Sequence, residues 1–255
     1  STNLHPLGAG RIVFMTSERY KCYSRIGCMI KTMRSIGEMD FSVARRHMVD
    51  CQIRPNQVTD ENLISLFGAI PREQFAPDGQ QALAYIDSDL PIASSRHLMN
   101  PCIMARMLQT LSEGNKGIVL VVGCGSGYAV AILAGIFDCV FALESDPKLA
   151  SDATRVLSTL AVDNAVVVEG PLAQGWAKDG PYNAIFIDGG VAKIPDEITA
   201  QLANGGRLTA VCADDDGTGR AVLMERRGGA IARRTLFDAA IPTLKEFNKT
   251  AGFVF

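Results

Sequence analysis

The sequence predicts an α/β protein: a mostly parallel sheet with helices on both faces, a C-terminal antiparallel hairpin and an N-terminal helical extension. Three observations carry this. From residue 117 onward, short apolar runs alternate with stretches of helical length. Such alternation builds a parallel sheet whose crossovers pack on its two faces. The first run, residues 118–122, breaks into Gly123, Gly125 and Gly127 just ahead of an apolar helix. Near the C-terminus, Gly228-Gly229 separates two runs of strand length, a hairpin signal.

Residues 1–38 form a basic extension, with Arg11, Arg19, Lys21, Arg25, Lys31 and Arg34 against Glu18 and Glu38. Periodicity is poor there. The segment reads as a loosely ordered extension, with Met39 as the natural first residue of a domain spanning 39–255; a transit peptide would share its basic, acid-poor composition. Residues 39–112 are helical and loop-rich, and 113–255 form the α/β core. A first helix covers 40–53 and ends before Pro55, because the residue preceding proline avoids α geometry. A second starts at Thr59-Asp60, either of which can cap its free N–H groups. It aligns Leu63, Leu66, Phe67 and Ile70 on one apolar face and stops at Pro71.

The stretch 71–101 reads as a long loop rich in Pro, Ser and Asp. Loops of that length are usually functional, which makes it a candidate lid or substrate wall. A third helix, 103–111, leads into the core. Strands follow at 118–122, 139–143, 165–169, 184–188 and 207–212, with helices at 129–137, 147–160 and 194–202. The hairpin pairs 220–226 with 230–237.

Composition narrows the function. The chain has 255 residues and a net charge of −2, so nothing recommends nucleic acid or an anionic membrane as partner. No apolar stretch reaches ~18 residues, so no transmembrane helix is expected. The seven cysteines are odd in number and scattered; with no secretory signal, they read as reduced thiols in a cytoplasmic protein, and a monomer is favoured. His5, His47 and His97 lie far apart, and no metal site is expected. Asp214-Asp215-Asp216 with Gly217 reads as a solvated hairpin turn.

The glycines point to a nucleotide-like cofactor. Gly at alternate positions lets the backbone turn sharply and approach a ligand where a Cβ would collide. The helix behind them aims its free N–H groups at whatever sits above. A dinucleotide fold places a third glycine five residues after the first; here that residue is Tyr128. The spacing is instead G-x-G-x-G, with Ser126 inside it, and resembles the first motif of methyltransferases that use S-adenosyl-L-methionine (AdoMet). The strand after it ends in Glu144, roughly 20 residues beyond the glycines, where an acid accepts hydrogen bonds from a ribose. A solvated acid at a strand end is the plainer alternative.

Further stretches resemble the protein-L-isoaspartate (D-aspartate) O-methyltransferase family. They are Met48-Val49-Asp50-Cys51-Gln52, Ile70-Pro71-Arg72-Glu73-Gln74-Phe75-Ala76-Pro77, Ala84-Tyr85-Ile86-Asp87 and Leu90-Pro91-Ile92. After the glycine motif come 164–168, Gly175-Trp176, Pro181-Tyr182-Asn183-Ala184-Ile185 and Gly205-Gly206-Arg207-Leu208. The ordered set spans roughly 40–212. It implies a class I methyltransferase fold, AdoMet as cofactor, and isoaspartyl carboxylates of damaged peptides or proteins as substrate. Gly123, Gly125, Ser126 and Gly127 would then admit the cofactor, Glu144 would bind its ribose, and Gly170 to Leu172 would border the adenine.

Departures from the family fall around the same pocket. The family's Thr-Ile-Ser-Gln-Pro is His97-Leu98-Met99-Asn100-Pro101, so its activity-associated serine is Met99. An acid usual in the first glycine motif is Val121, and Gly-Asp-Gly becomes Gly170-Pro171-Leu172. Met99 is a substrate-loop candidate or a plain packing residue. Ser94, Ser95, Arg96 and His97 are candidates for the lost donor; for Ser94-Ser95-Arg96 the alternative is an exposed turn. Asp188 either replaces the charge missing at Val121 or caps a turn. Two further readings stay open: a degenerate protein that binds AdoMet or its demethylated product without transfer, and a methyltransferase with a changed acceptor.

Overall fold

The computed structural model describes residues 40–114, 116–213 and 219–248. The basic extension and the acidic turn at 214–216 lie outside the described residues. Helix α1 (Phe41–Met48) runs on through a π turn (Val49–Ile53) and a 3-10 turn (Arg54–Asn56). The chain thus keeps curling past the expected stop at Pro55, because proline stands at the start of the 3-10 turn, where its missing N–H costs no bond. Helix α2 (Glu61–Ala69) is capped by the Asp60 carboxylate, which accepts from the Asn62 and Leu63 N–H groups.

The stretch read as a long loop is more structured than that. It holds 3-10 turns at Arg72–Phe75 and Gln81–Leu83 and an antiparallel ribbon, β1 (Leu90–Ala93) with β2 (Arg96–Leu98). Pro91 and a register shift between Pro91 and Ala93 erase the period-2 alternation that would announce strands. Helix α3 (Pro101–Ser112) begins two residues earlier than expected, with Pro101 in its first turn and the Asn100 side chain accepting from the Cys102 and Ile103 N–H groups. The Asn100 amide also donates to Asp87 at 2.9 Å. Asn100→Ala is therefore expected to cost about 0.5–2 kcal/mol, as loss of an N-cap does; urea denaturation would measure it.

The main sheet has the order β5-β4-β3-β6-β7-β8-β9. Its strands are β3 (Ile118–Val122), β4 (Cys139–Glu144), β5 (Ala165–Glu169), β6 (Tyr182–Val191), β7 (Leu202–Ala213), β8 (Gly219–Arg227) and β9 (Ala230–Asp238). Strands β3 to β7 pair in parallel, and β8 and β9 add the antiparallel hairpin. Helix α4 (Tyr128–Ala134) joins β3 to β4, α5 (Pro147–Thr159) joins β4 to β5, and the short α6 (Asp196–Ala200) precedes β7. Gly135 ends α4 earlier than the apolar run suggests; a Cβ there would sit 2.4 Å from Leu66.

Both faces of the sheet are covered. Val119 and Val121 pack into a core shared with α2, α3, α4 and α5, while Leu120 and Val122 face a second core with Leu172, Ile198 and Leu244. The chain leaves β3 toward β4 and β5, then returns to the other side of β3 as β6. Open α/β sheets bind ligands at such a reversal, beyond the carboxyl ends of the strands. Val122 pairs with both Leu143 and Ile187, so Gly123, Glu144 and Asp188 meet at that crevice.

Candidate cofactor and acceptor site

The glycine turn is anchored to β4 by two bonds: the Gly123 and Cys124 N–H groups donate to the Leu143 carbonyl at 2.8 and 3.2 Å. Gly123, Gly125 and Gly127 take φ of +76°, +54° and +93°, which side-chain-bearing residues rarely adopt. A Cβ on Gly125 would lie 2.9 Å from Ile92, and one on Gly123 3.1 Å from Leu244. The Ser126 hydroxyl is buried with no hydrogen-bond partner. Gly170 donates its N–H to the Glu144 carbonyl at 3.0 Å, and Leu172 packs 3.4 Å from where a Gly123 Cβ would stand. The predicted cofactor residues therefore form one cluster.

Glu144 is fully buried, not a solvated strand end. Its carboxylate accepts the N–H groups of Gly125 at 2.9 Å, Ser145 at 2.8 Å and Asp146 at 3.1 Å. It also pairs with Arg96, whose Nη2 donates at 2.9 Å and whose Nε lies 3.2 Å from both oxygens. Arg96 is only 3 % exposed, which corrects the exposed-turn reading of 94–96: Ser94 alone is exposed. Ser95, at φ +57°, turns the ribbon so that Arg96 points inward. The Ser95 hydroxyl accepts from Arg96 at 3.3 Å.

A second carboxylate completes the network. Glu246 accepts from Arg96 Nη2 at 2.9 Å and from the Ser145 hydroxyl at 2.7 Å. Burial opposes charge on Arg96, but its bonds to Glu246 and Glu144 outweigh that and raise its pKa. Burial likewise opposes charge on Glu246, yet Arg96 and Ser145 hold its carboxyl down at about 2. Glu246 belongs to a strap, residues 239–248, that crosses the carboxyl end of β6. Gly190 donates to the Pro242 carbonyl at 3.0 Å and accepts from the Leu244 N–H at 2.9 Å. A Cβ on Gly189 would meet Leu244 at 2.6 Å, so glycine there lets the strap lie flat.

Between the strap and β2 the chain closes tightly, leaving no room for even a water molecule among Ser95, His97, Met99, Asp188, Ile241 and Leu244. Met99 is buried in the core beside α3 and α4, and its carbonyl accepts from Arg72 at 2.6 Å. Arg72 is itself fully buried, also donating to the Ala84 carbonyl and lying 4.7 Å from the Tyr128 ring centre. Asp188 Oδ1 has no hydrogen-bond partner, and burial pushes its carboxyl up to about 8. Among the described residues no helix is long and apolar enough to cross a membrane, and no His, Cys, Asp and Glu cluster could hold a metal ion.

The profile of the family described as protein-L-isoaspartate (D-aspartate) O-methyltransferase matches residues 44–241. The chain belongs to the protein-L-isoaspartate (D-aspartate) O-methyltransferase family. It is 33% identical over 197 residues to the protein-L-isoaspartate O-methyltransferase of Trichlorobacter lovleyi, covering 77% of this chain and 91% of that one. It is 36% identical over 186 residues to protein-L-isoaspartate O-methyltransferase 1 of Rhodopseudomonas palustris, covering 73% and 76%. A solved protein-L-isoaspartate O-methyltransferase superposes with a TM-score of 0.68 at 22% identity, over 78% of this chain and 65% of that one. A Plasmodium falciparum structure described with S-adenosyl-L-homocysteine superposes with a TM-score of 0.65 at 19% identity, over 82% and 100%. Both show this class I methyltransferase fold. Within it, sequence reasoning missed Leu244 and Glu246, whose proximity to the glycine turn and to Arg96 has no local signature, and the burial of Arg72.

Proposed function

We propose that the chain transfers the methyl group of AdoMet to the free carboxylate of L-isoaspartyl (and D-aspartyl) residues in damaged proteins. The observation that carries this is the juxtaposition of a three-glycine turn with the fully buried Glu144 at the reversal point of a parallel sheet. The residue types fit the cofactor: the turn leaves no Cβ in its way, Ser126 holds an unused buried hydroxyl, and Glu144 offers a carboxylate for ribose hydroxyls. Leu172 supplies an apolar wall beside the turn. In the conformation described, Arg96 lies on Glu144 and Leu244 on Gly123, so both the ribbon that carries Arg96 and the strap that carries Leu244 have to shift for the cofactor to seat. When bound, AdoMet supplies the electrophilic methyl group.

The protein's own part is alignment. An aspartyl-type carboxylate, with pKa ~3.9, is already ionised at neutral pH and needs no base. Holding two reactants in an attack geometry is worth ~7–11 kcal/mol. The crevice walled by Ser95, His97 and Met99, closed in this structure, is where the acceptor would be held once the strap shifts. The five described cysteines are free, which supports a reducing, cytoplasmic setting.

The test is labelled methyl transfer to an isoaspartyl peptide, with the aspartyl peptide as control. Base-labile label on the isoaspartyl peptide alone is the expected result. Tight S-adenosyl-L-homocysteine binding with no label would instead establish a cofactor-binding protein without this transfer.

A further inference from the structure

Asp188 stands at the carboxyl end of β6, beside the glycine turn, and contributes to the crevice that also contains Ser95, His97 and Met99. It is 9 % exposed, and Oδ1 bonds to nothing. An unpartnered polar atom this deeply buried is expensive, and native structures keep few of them. The methyltransfer reading gives it a purpose. The crevice is closed in this structure, and an acceptor carboxylate admitted by a shift of the strap would bring a negative charge into a poorly solvated space. It needs donors, and most of the nearby cationic N–H groups are committed. Arg96 is bound to Glu144 and Glu246, while Arg72 spends Nε on the Ala84 carbonyl and Nη2 on that of Met99, which leaves its buried Nη1 unpartnered.

We propose that Asp188 keeps its proton and donates it in a hydrogen bond to the incoming isoaspartyl carboxylate, positioning that group for methylation. The proposal rests on the methyltransfer reading above. Two carboxyl groups sharing one buried site cannot both be charged, and they settle by sharing one proton. The groups facing Asp188 are consistent with its being the neutral partner. Burial is the dominant influence; Arg72 and Arg96 favour its charged form, Asp89 and Glu144 oppose it, and His97 and Cys124 complete the ionisable surroundings. No proton leaves Asp188 during the reaction. The acceptor oxygen forms an O–CH3 bond as the S–CH3 bond breaks, and the sulfonium becomes a neutral thioether.

The experiment measures transfer and peptide affinity across pH for wild type, Asp188→Asn and Asp188→Ala. Peptide affinity is read by calorimetry with saturating S-adenosyl-L-homocysteine, so it does not depend on turnover. Wild-type kcat/KM for the isoaspartyl peptide should fall about tenfold per pH unit above about 8, as the donor is lost. Asp188→Asn keeps a donor that cannot ionise, so it should bind peptide and show no alkaline fall. Asp188→Ala should weaken peptide binding about 10- to 100-fold below pH 8. Wild-type peptide affinity in Asp188→Ala would overturn the proposal, as would a wild-type rate that climbs above pH 8 and vanishes in Asp188→Asn, the mark of a general base. Stability gives an independent check. The unfolded chain releases this proton near pH 4 and the folded one near 8, so Asp188 destabilises the fold progressively as pH rises between them. Asp188→Asn should therefore melt higher than wild type at pH 8, and a lower melting point would count against a buried neutral carboxyl. If wild type binds S-adenosyl-L-homocysteine but labels no isoaspartyl peptide, the acceptor assignment fails and this proposal with it. If wild type labels the peptide and Asp188→Ala does so equally well, only the proposal fails.

Discussion

Glu144→Ala is expected to destabilise the protein by about 3 kcal/mol and to remove most of its affinity for AdoMet. The stability loss comes from what the carboxylate leaves behind. Arg96 is 3 % exposed, and breaking a buried ion pair by deleting one partner costs about 3–5 kcal/mol. Glu246 remains as a second partner, which places the expected loss at the lower end of that range. The N–H groups of Gly125, Ser145 and Asp146 also lose their acceptor, and each was within 3.1 Å of it. Removing both charges is a different experiment. In Glu144→Ala with Arg96→Met, no guanidinium is stranded, so only the ion-pair part of the loss should be recovered, the three N–H groups still lacking an acceptor, while cofactor affinity stays low. Urea denaturation reads the first effect and calorimetry with S-adenosyl-L-homocysteine the second. A single variant within about 0.5 kcal/mol of wild type, the usual range for a surface substitution, would mean the network contributes nothing net.

How much of this was legible in the sequence differs from element to element. The parallel core was, because buried strands such as 118–122 and 184–187 are short apolar runs that alternate with stretches of helical length. Glu144 was legible as well, because a strand end and a count of residues from the glycines suffice to place it. The ribbon at 90–98 was not. Its strands are three and four residues long, with a proline and a bulge, so no alternation survives to be read. Arg72 and Arg96 look like surface arginines in a loop; only tertiary packing brings two carbonyls to one and two carboxylates to the other. The strap is the hardest case. Arg96 and Glu246 are 150 residues apart, and no periodicity links them. Asp188 was recognised as a charge over the sheet edge, but its missing partner depends on the strap, which closes the crevice above it.

Glu246→Ala is the variant that tests the strap, and it is expected to tighten S-adenosyl-L-homocysteine binding by about tenfold. A bound ligand gains whatever free energy the free protein no longer spends holding a competing contact, and about 1.4 kcal/mol corresponds to that factor. Hydrogen bonds between charged groups contribute about 1.5–3 kcal/mol each, so one lost Arg96–Glu246 contact is sufficient. Acid cannot be used in place of the mutation. Glu246 titrates near 2 in the folded protein, so its contribution is complete above the ordinary carboxyl range and fades only as pH falls toward that value. At neutral pH the tether is fully charged, and the substitution isolates it. Hydrogen exchange supplies the structural readout, since the Leu244 and Gly190 N–H groups hold the strap to β6 and should exchange faster once its end is released. Faster exchange with unchanged affinity would separate two roles: the strap would be loosely held, yet its position over Gly123 would cost the cofactor nothing. Slower or unchanged exchange with weaker binding would reverse the assignment, making Glu246 a residue that holds the site together rather than one that closes it.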